Sequence, residues 1–261
     1  MANNIIGYID VPTDVLDPLA GYAAKTITGC TNQSVLWSTG ATAFGSAAIG
    51  ANASNLIITG NKLSNVEGVA INPTEQNVSI TNNLFQNVTG VAIKQQSNSF
   101  VIANNLFQNI GYNAAKSFNG EVYGISLTGS NLRGAVSDNV LITVGGDGIF
   151  TDSNLDVMNI SGNTISSFGG SAAIYLNGAI SAGTSSRVNV VGNNLEGTET
   201  TIRGIYARSI DTLNISNNVI DSALEGIRVD ASGDVVIIAN NVSNCSSDGI
   251  RVSGATLSAA V

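Results

Sequence analysis

Apolar and polar residues alternate in short stretches along most of this chain, and the stretches recur. In residues 77–93, Val78 and Ile80 alternate with polar neighbours, Phe85 follows an Asn-Asn pair, and Val91 and Ile93 follow a glycine. A period of two marks a strand with one buried face. The unit therefore predicts three short strands, the first burying Val78 and Ile80, the second Phe85, and the third Val91 and Ile93. No stretch sustains the 3.6-residue period of a helix.

Eight copies of this unit fill residues 55–257. Laid on one another they align Asn61, Asn83, Asn105, Asn139, Asn163, Asn193, Asn218 and Asn241. The dipeptides that follow are Gly68-Val69, Gly90-Val91, Gly124-Ile125, Gly148-Ile149, Ala173-Ile174, Gly204-Ile205, Gly226-Ile227 and Gly249-Ile250. The intervals run from 22 to 34 residues, and self-similarity at such a period signals a solenoid whose rungs bury a core by stacking. Cys30 stands in Ile27-Thr28-Gly29-Cys30 where Asn61 stands in Ile58-Thr59-Gly60-Asn61, which adds a first rung and brings the stack to about nine. The Asn-Asn corner suits a tight turn, because asparagine tolerates the left-handed conformation. Stacked asparagines can then hydrogen-bond their amides from rung to rung. The division that follows is a lead-in over residues 1–25, with a short helical plug over 13–25, the solenoid over 26–257 and a tail over 258–261.

Composition narrows the class. The 261 residues are 43% hydrophobic and only 11% charged, with 29 glycines, too apolar for disorder and too interrupted for a membrane span. A net charge of -8 argues against nucleic acid as a partner. There is no histidine, so acid-base chemistry would fall to Tyr, Arg, Lys, Asp or Glu. The start has no signal-peptide pattern; localisation is open, with an extracellular or virion surface the expectation. Cys30 and Cys245 lie some eight rungs apart and are read as unpaired.

The strand, the Asn-bearing turn, the second strand and then Gly-Ile-x-Leu/Val resemble the right-handed parallel β-helix proteins of the pectate-lyase-like superfamily. The resemblance covers about four fifths of the chain and implies an all-β solenoid of three strands per rung with an asparagine ladder. It leaves activity open, because the superfamily holds lyases, polygalacturonases, uronan epimerases, phage tailspikes and inert surface proteins. The histidine-bearing motifs of the polygalacturonase-like and epimerase-like members are absent.

In-register strands turn each strand position into a column along the outer wall. The first outward column of the third strand reads Ala70, Ala92, Ser126, Phe150, Tyr175, Tyr206, Arg228, Arg251, and the second reads Asn72, Lys94, Thr128, Asp152, Asn177, Arg208, Asp230, Ser253. Tyr123, Asp147, Arg203, Glu225 and Asp248 add to one margin. Extra residues at 110–123, 177–186 and 196–203 flank the same stripe, as loops gather on functional faces. By the resemblance, a carbohydrate-active β-helix places its substrate groove here.

These residues suit an extended anionic polysaccharide, with rings against sugar faces and arginines on carboxylates or sulfates. Substrate-binding candidates are Phe150, Asp152, Tyr175, Asn177, Arg203, Asp230 and Arg251. β-Elimination or C5 epimerisation would use Arg208 or Arg228 to neutralise the uronate and Tyr206 as base. Hydrolysis needs two carboxylates about 5 to 9.5 Å apart, and Glu225 with Asp248 alone come near; that pair serves as well to bond Arg228 and Arg251. These residues fix no cofactor; calcium is the metal to weigh, although Asp152 and Asp230 stand about 14 Å apart and cannot share an ion.

A rival expectation is a structural or receptor-binding part of a larger assembly, tailspike-like or adhesin-like. The uncovered last rung calls for a partner, a further domain or a fold-back of residues 254–261. Outward Ile57, Val101 and Ile237 on the first strand, with Leu84, Leu106 and Val140 on the second, would suit a homotrimer face.

Overall fold

The computed structural model describes residues 5–6, 47–51, 54–66, 68–96, 98–112, 121–178, 186–197, 202–254 and 256–257. The proposed plug over 13–25 and Cys30 lie outside them. All regular structure among the described residues is strand, in three nine-stranded sheets in which every third strand along the chain is a neighbour. All the pairings are parallel, as between Val78 and Phe100, Leu106 and Val140, or Ile125 and Ile149. A chain that visits three sheets in turn, always beside its previous visit, is a parallel β-helix. Ile5–Ile6 pair with Lys62–Leu63 at one end, and Thr256–Leu257 pair with Asp234–Val235 at the other, continuing the first-strand sheet.

The alternation read from sequence sets what points inward. On the first strand, Ile58, Ile80, Ile102, Val136, Ile160, Val190, Ile215 and Ile237 stack in register, all essentially without exposure. Each such side chain stabilises the fold by about 1.5–3 kcal/mol relative to an exposed one. Phe85 and Phe107 stack in the core at 4.7 Å. Ile237 is thus a core residue, correcting its expected place on an oligomer face; its neighbour Ile238 points outward at 49% exposure.

The asparagine ladder occupies the corner after the first strand. The Asn61 backbone N–H and side-chain Nδ2 both donate to Asn83 Oδ1 at 2.9 Å, and the same pair of bonds links each following rung, Asn83 to Asn105, Asn105 to Asn139, Asn139 to Asn163 and Asn163 to Asn193. Asn193 bonds Asn218, and Asn218 bonds Asn240. The last member is therefore Asn240, not Asn241, which is instead the first residue of the second strand, opposite Val219. The residue before each ladder asparagine takes the left-handed conformation, for example Asn82 at φ 56°, Asn104 at 55°, Asn217 at 56° and Ala239 at 54°. At Gly60, Gly162 and Gly192 the same position is glycine, with φ between 65° and 68°, the residue that meets no Cβ penalty there.

A second left-handed column, Asn65, Asn87 and Asn109, lies within the second strand. Its amides also bond in series, Asn87 Nδ2 to Asn65 Oδ1 at 3.0 Å and Asn109 Nδ2 to Asn87 Oδ1 at 3.1 Å.

On the third strand the register corrects the sequence columns in the first rungs. Ile71 and Ile93 pair with each other, and Ile93 pairs with Ile125, so Ala70-Ile71 and Ala92-Ile93 are the equivalents of Gly124-Ile125. The alignment on Gly68 and Gly90 was two residues early. Burial decides it: Ile71, Ile93 and Ile125 share the core, and Gly68 is a corner residue at φ 86°. A Cβ on Gly124 would lie 2.6 Å from the Gly148 carbonyl oxygen, and one on Gly226 2.5 Å from that of Gly249. Only small residues fit this column.

The outer face of the first-strand sheet contrasts with the rest. Its two inner columns read Ile57, Ser79, Val101, Ala135, Asn159, Asn189, Asn214, Val236 and Thr59, Thr81, Ala103, Ser137, Ser161, Val191, Ser216, Ile238. Neither column holds a charged residue.

Candidate functional site

The outer face of the third-strand sheet gathers the chemistry. Lys94, Ser126, Phe150, Tyr175, Tyr206, Arg228 and Arg251 form one in-register column. Lys94 replaces Ala92 there, since Ala70 and Ala92 are fully buried. Beside it run Asp152, Asn177, Arg208, Asp230 and Ser253. From Phe150 onward both columns have the register expected from sequence.

The rings form a continuous stack. Tyr123 lies over Phe150 at 4.2 Å and Phe150 over Tyr175 at 5.2 Å, both nearly parallel, and Tyr175 meets Tyr206 edge-on at 5.3 Å. Tyr206 then receives two cations, with the Arg203 guanidinium 4.8 Å and that of Arg228 5.3 Å from its ring centre, an attractive arrangement. Tyr123 was placed only at the margin by sequence reasoning; in the fold it begins the stack. The faces of Phe150 are taken up by Tyr123 and Tyr175, so its ring offers an edge to solvent rather than a platform to a sugar.

The ionic groups are equally engaged. Glu225, 3% exposed, is held by Arg203 at 2.6 Å, Arg228 at 3.3 Å and Arg251 at 3.4 Å. Arg251 also reaches Asp248 at 3.8 Å. Asp230 Oδ2 accepts from Arg228 Nε at 2.8 Å and from the Tyr206 hydroxyl at 3.0 Å. Asn177 donates to Asp152 at 2.5 Å. Burial pushes the Glu225 carboxyl up, but the bonds and charges of Arg203 and Arg228 outweigh it and hold the group below its ordinary value. The Tyr175 phenol is raised, because burial outweighs the nearby Arg208, which bonds it. Tyr123 is raised by burial and then by Asp147.

Arg208 differs from the other arginines of the stripe. It is exposed, bonds Tyr175 and pairs with no carboxylate among the described residues. Asp147 is buried, which raises its pKa, and its Oδ1 accepts from the backbone N–H groups of Ser171 at 2.5 Å and Ala172 at 2.7 Å, a structural use. Asp152 and Asp230 are separated by the strands of Asn177 and Arg208. No group of three or more His, Cys, Asp or Glu side chains among the described residues comes together to hold a metal. Cys245 is a free thiol. No helix among the described residues is long and apolar enough to cross a membrane.

A solenoid of three parallel sheets with a continuous internal asparagine ladder defines the class of protein as a β-helix. The family model described as a right handed beta helix region matches residues 117–259, more than half of the chain, and the protein belongs to that family. No curated protein and no solved structure matches it.

Proposed function

We propose that the protein is a non-catalytic binding module that lays an extended acidic polysaccharide along the outer face of the third-strand sheet. The observation that carries this reading is Arg208, an exposed guanidinium without a carboxylate partner among the described residues, in the polar row Asp152, Asn177, Arg208, Asp230 beside the ring stack. A cation whose donors are not committed to a protein carboxylate is the group that pairs with a uronate or sulfate. In chain order, the longer intervals of the repeat precede the strands Tyr123–Leu127 and Arg203–Arg208 and follow Ala172–Asn177, all three of this sheet. Phe150, Tyr175 and Tyr206 stiffen the surface, Arg203, Arg228 and Asp230 fix Tyr206, and Arg251 joins Arg203 and Arg228 on Glu225.

Binding is favoured over turnover by the engagement of the candidate catalytic groups. The Tyr206 hydroxyl already donates to Asp230, and Arg228 spans Glu225 and Asp230. As a base, Tyr206 would have to give up that hydroxyl's bond to Asp230 before it could reach a substrate proton. Hydrolysis is served worse, since a general acid needs a raised pKa and Glu225 has a lowered one.

The second reading, a structural β-helix of a larger assembly, is favoured by the internal satisfaction of the stripe: stacked rings and paired charges are also what stability alone would select. Exposed Ile57, Val101 and Val140 fit a homotrimer contact in that reading.

Affinity electrophoresis through gels holding uronate-rich or sulfated polysaccharides separates the cases, with absorbance of unsaturated ends and NMR of uronate configuration read on the same mixtures. Binding predicts retardation by at least one acidic glycan, lost in Arg208→Ala, with no new product. Unsaturated ends or epimerised residues would restore Tyr206, Arg208 and Arg228 as catalytic residues. An unretarded, folded protein would leave the assembly reading.

A further inference from the structure

We propose that the outer face of the first-strand sheet is a second docking surface, fitted to the ordered, uncharged surface of a neutral polysaccharide. This goes beyond the acidic-glycan reading and is independent of it, because the two faces belong to different sheets.

Charge is the first argument. A chain of net charge -8 keeps both inner columns of this face free of ionised groups, while Lys62, Glu196 and Asp221 stand on the second-strand face and the arginines and aspartates on the third. Among the described residues, charges reach the first-strand face at its margin, at Arg133 with its partner Asp156, at Arg187 and at Asp234. Covering a surface without ions strips no ion of its water, so contact with an uncharged partner carries no large desolvation cost.

The second argument is order. Asn, Ser and Thr can both donate and accept, as sugar hydroxyls do, and they are arrayed with apolar Val101 and Ala135 in register. Neighbours in the array brace one another: Asn189 donates to Asn159 at 2.8 Å, and Thr81 to Thr59 at 3.2 Å. Side chains held in this way lose little freedom on binding, which is where association is usually weakened. Their spacing of about 4.8 Å between rungs and about 6.7 Å between columns suits a partner with its own repeat.

Area argues against a second copy of the chain. Two columns over eight rungs offer about 500 Å² by those spacings, short of the roughly 800 Å² per partner of a stable complex. An ordered polymer surface needs no such minimum per protein, because successive molecules adsorb independently.

The test is co-sedimentation of the full chain with microcrystalline cellulose and with chitin particles, at low and high salt. The chain is expected to sediment with at least one of them, unaffected by salt. Val101→Lys with Asn189→Lys, three rungs apart on the outward side, should weaken this at least tenfold, whereas Arg208→Ala should not change it. Circular dichroism checks the fold, and Asn189→Lys alone replaces the double variant if that fails to fold. The proposal is overturned by a wild type that sediments with neither particle, by lysine variants that sediment like the wild type, or by loss with Arg208→Ala instead. A wild type that is dimeric in size-exclusion chromatography and made monomeric by the lysines would also overturn it, in favour of a second copy.

Discussion

The buried asparagine ladder and the exposed ring-and-arginine stripe are both columns stacked at about 4.8 Å, yet they differ in what each member can give up. Every interior ladder amide is removed from water and bonds both neighbouring rungs; Asn139 accepts from Asn105, donates to Asn163 and to the Ile102 carbonyl, and is 0% exposed. The stripe is half-exposed, and it changes chemistry along its length, from rings to guanidiniums at Tyr206 and Arg228. Repetition in a sequence tells that side chains stack; burial tells whether the stack is obligatory. The ladder is obligatory, and the stripe has room for a second use.

The largest effect should follow from cutting the ladder. Asn139→Ala takes away the oxygen that accepts from both the Asn105 backbone N–H and its side-chain amide, and the amide that bonds Asn163 and the Ile102 carbonyl, in a dry corner where an orphaned group costs about 1–3 kcal/mol. A loss of roughly 3–5 kcal/mol in the urea denaturation free energy is expected. A loss below about 1 kcal/mol would mean that water replaces the amide and that the ladder is no more obligatory than the stripe.

Glu225 is the stripe's nearest approach to a ladder residue, because three arginines from three rungs converge on it. Glu225→Gln should cost about 2 kcal/mol, less than the ladder cut because the arginines reach solvent. The pH dependence has a definite sign. The folded carboxyl titrates below its ordinary 4.5, so the unfolded chain binds its proton first; the contribution is complete above that value and is lost as pH falls through the lower folded value. Denaturation midpoints should therefore fall less steeply below pH 4.5 in Glu225→Gln than in the wild type. Equal acid sensitivity would show that the cluster adds nothing.

The fold was legible because the period-two alternation and the repeated asparagines are consequences of the same burial. Errors arose where two registers look alike locally. Gly68 and Gly90 resemble the glycine of the Gly-Ile step, but the core requirement for isoleucine places Ala70 and Ala92 there. Asn240-Asn241 resembles Asn82-Asn83, but inward Ile237 fixes Ala239-Asn240 as the corner, and one slip accounts for both the misplaced Asn241 and the misassigned Ile237. The stripe's membership could be read from Phe150 to Arg251. The closure of its ring faces could not, because a column specifies which side chains are adjacent and leaves their ring planes free. The second asparagine column was carried by the repeated Gln-Asn of Gln86-Asn87 and Gln108-Asn109, and went unread because it falls inside a strand pattern.

The third-strand interior holds a polar group that the ladder's rule would forbid. The Thr151 hydroxyl is fully buried without a hydrogen-bond partner, between Leu127 and Leu176 in the inward column. Thr151→Val keeps the shape and removes the orphan, and should raise stability by about 1–2 kcal/mol. A loss of stability would mean that the hydroxyl is satisfied in solution by water.

The smallest effect tests the corner that feeds the ladder. Ala239 holds the left-handed conformation at φ 54°, where the equivalent positions are Asn82, Asn104, Asp138 and Asn217 or glycine. A Cβ in that region costs roughly 1 kcal/mol, and asparagine relieves part of it through local hydrogen bonding. Ala239 is exposed, so Ala239→Asn meets no packing obstacle. A gain of up to about 1 kcal/mol is expected, together with slower exchange of the Asn218 amide proton, which donates to Asn240 at 3.0 Å. Equal gain without slower exchange would place the benefit in the turn alone and show that the ladder's last link is already as firm as its interior ones.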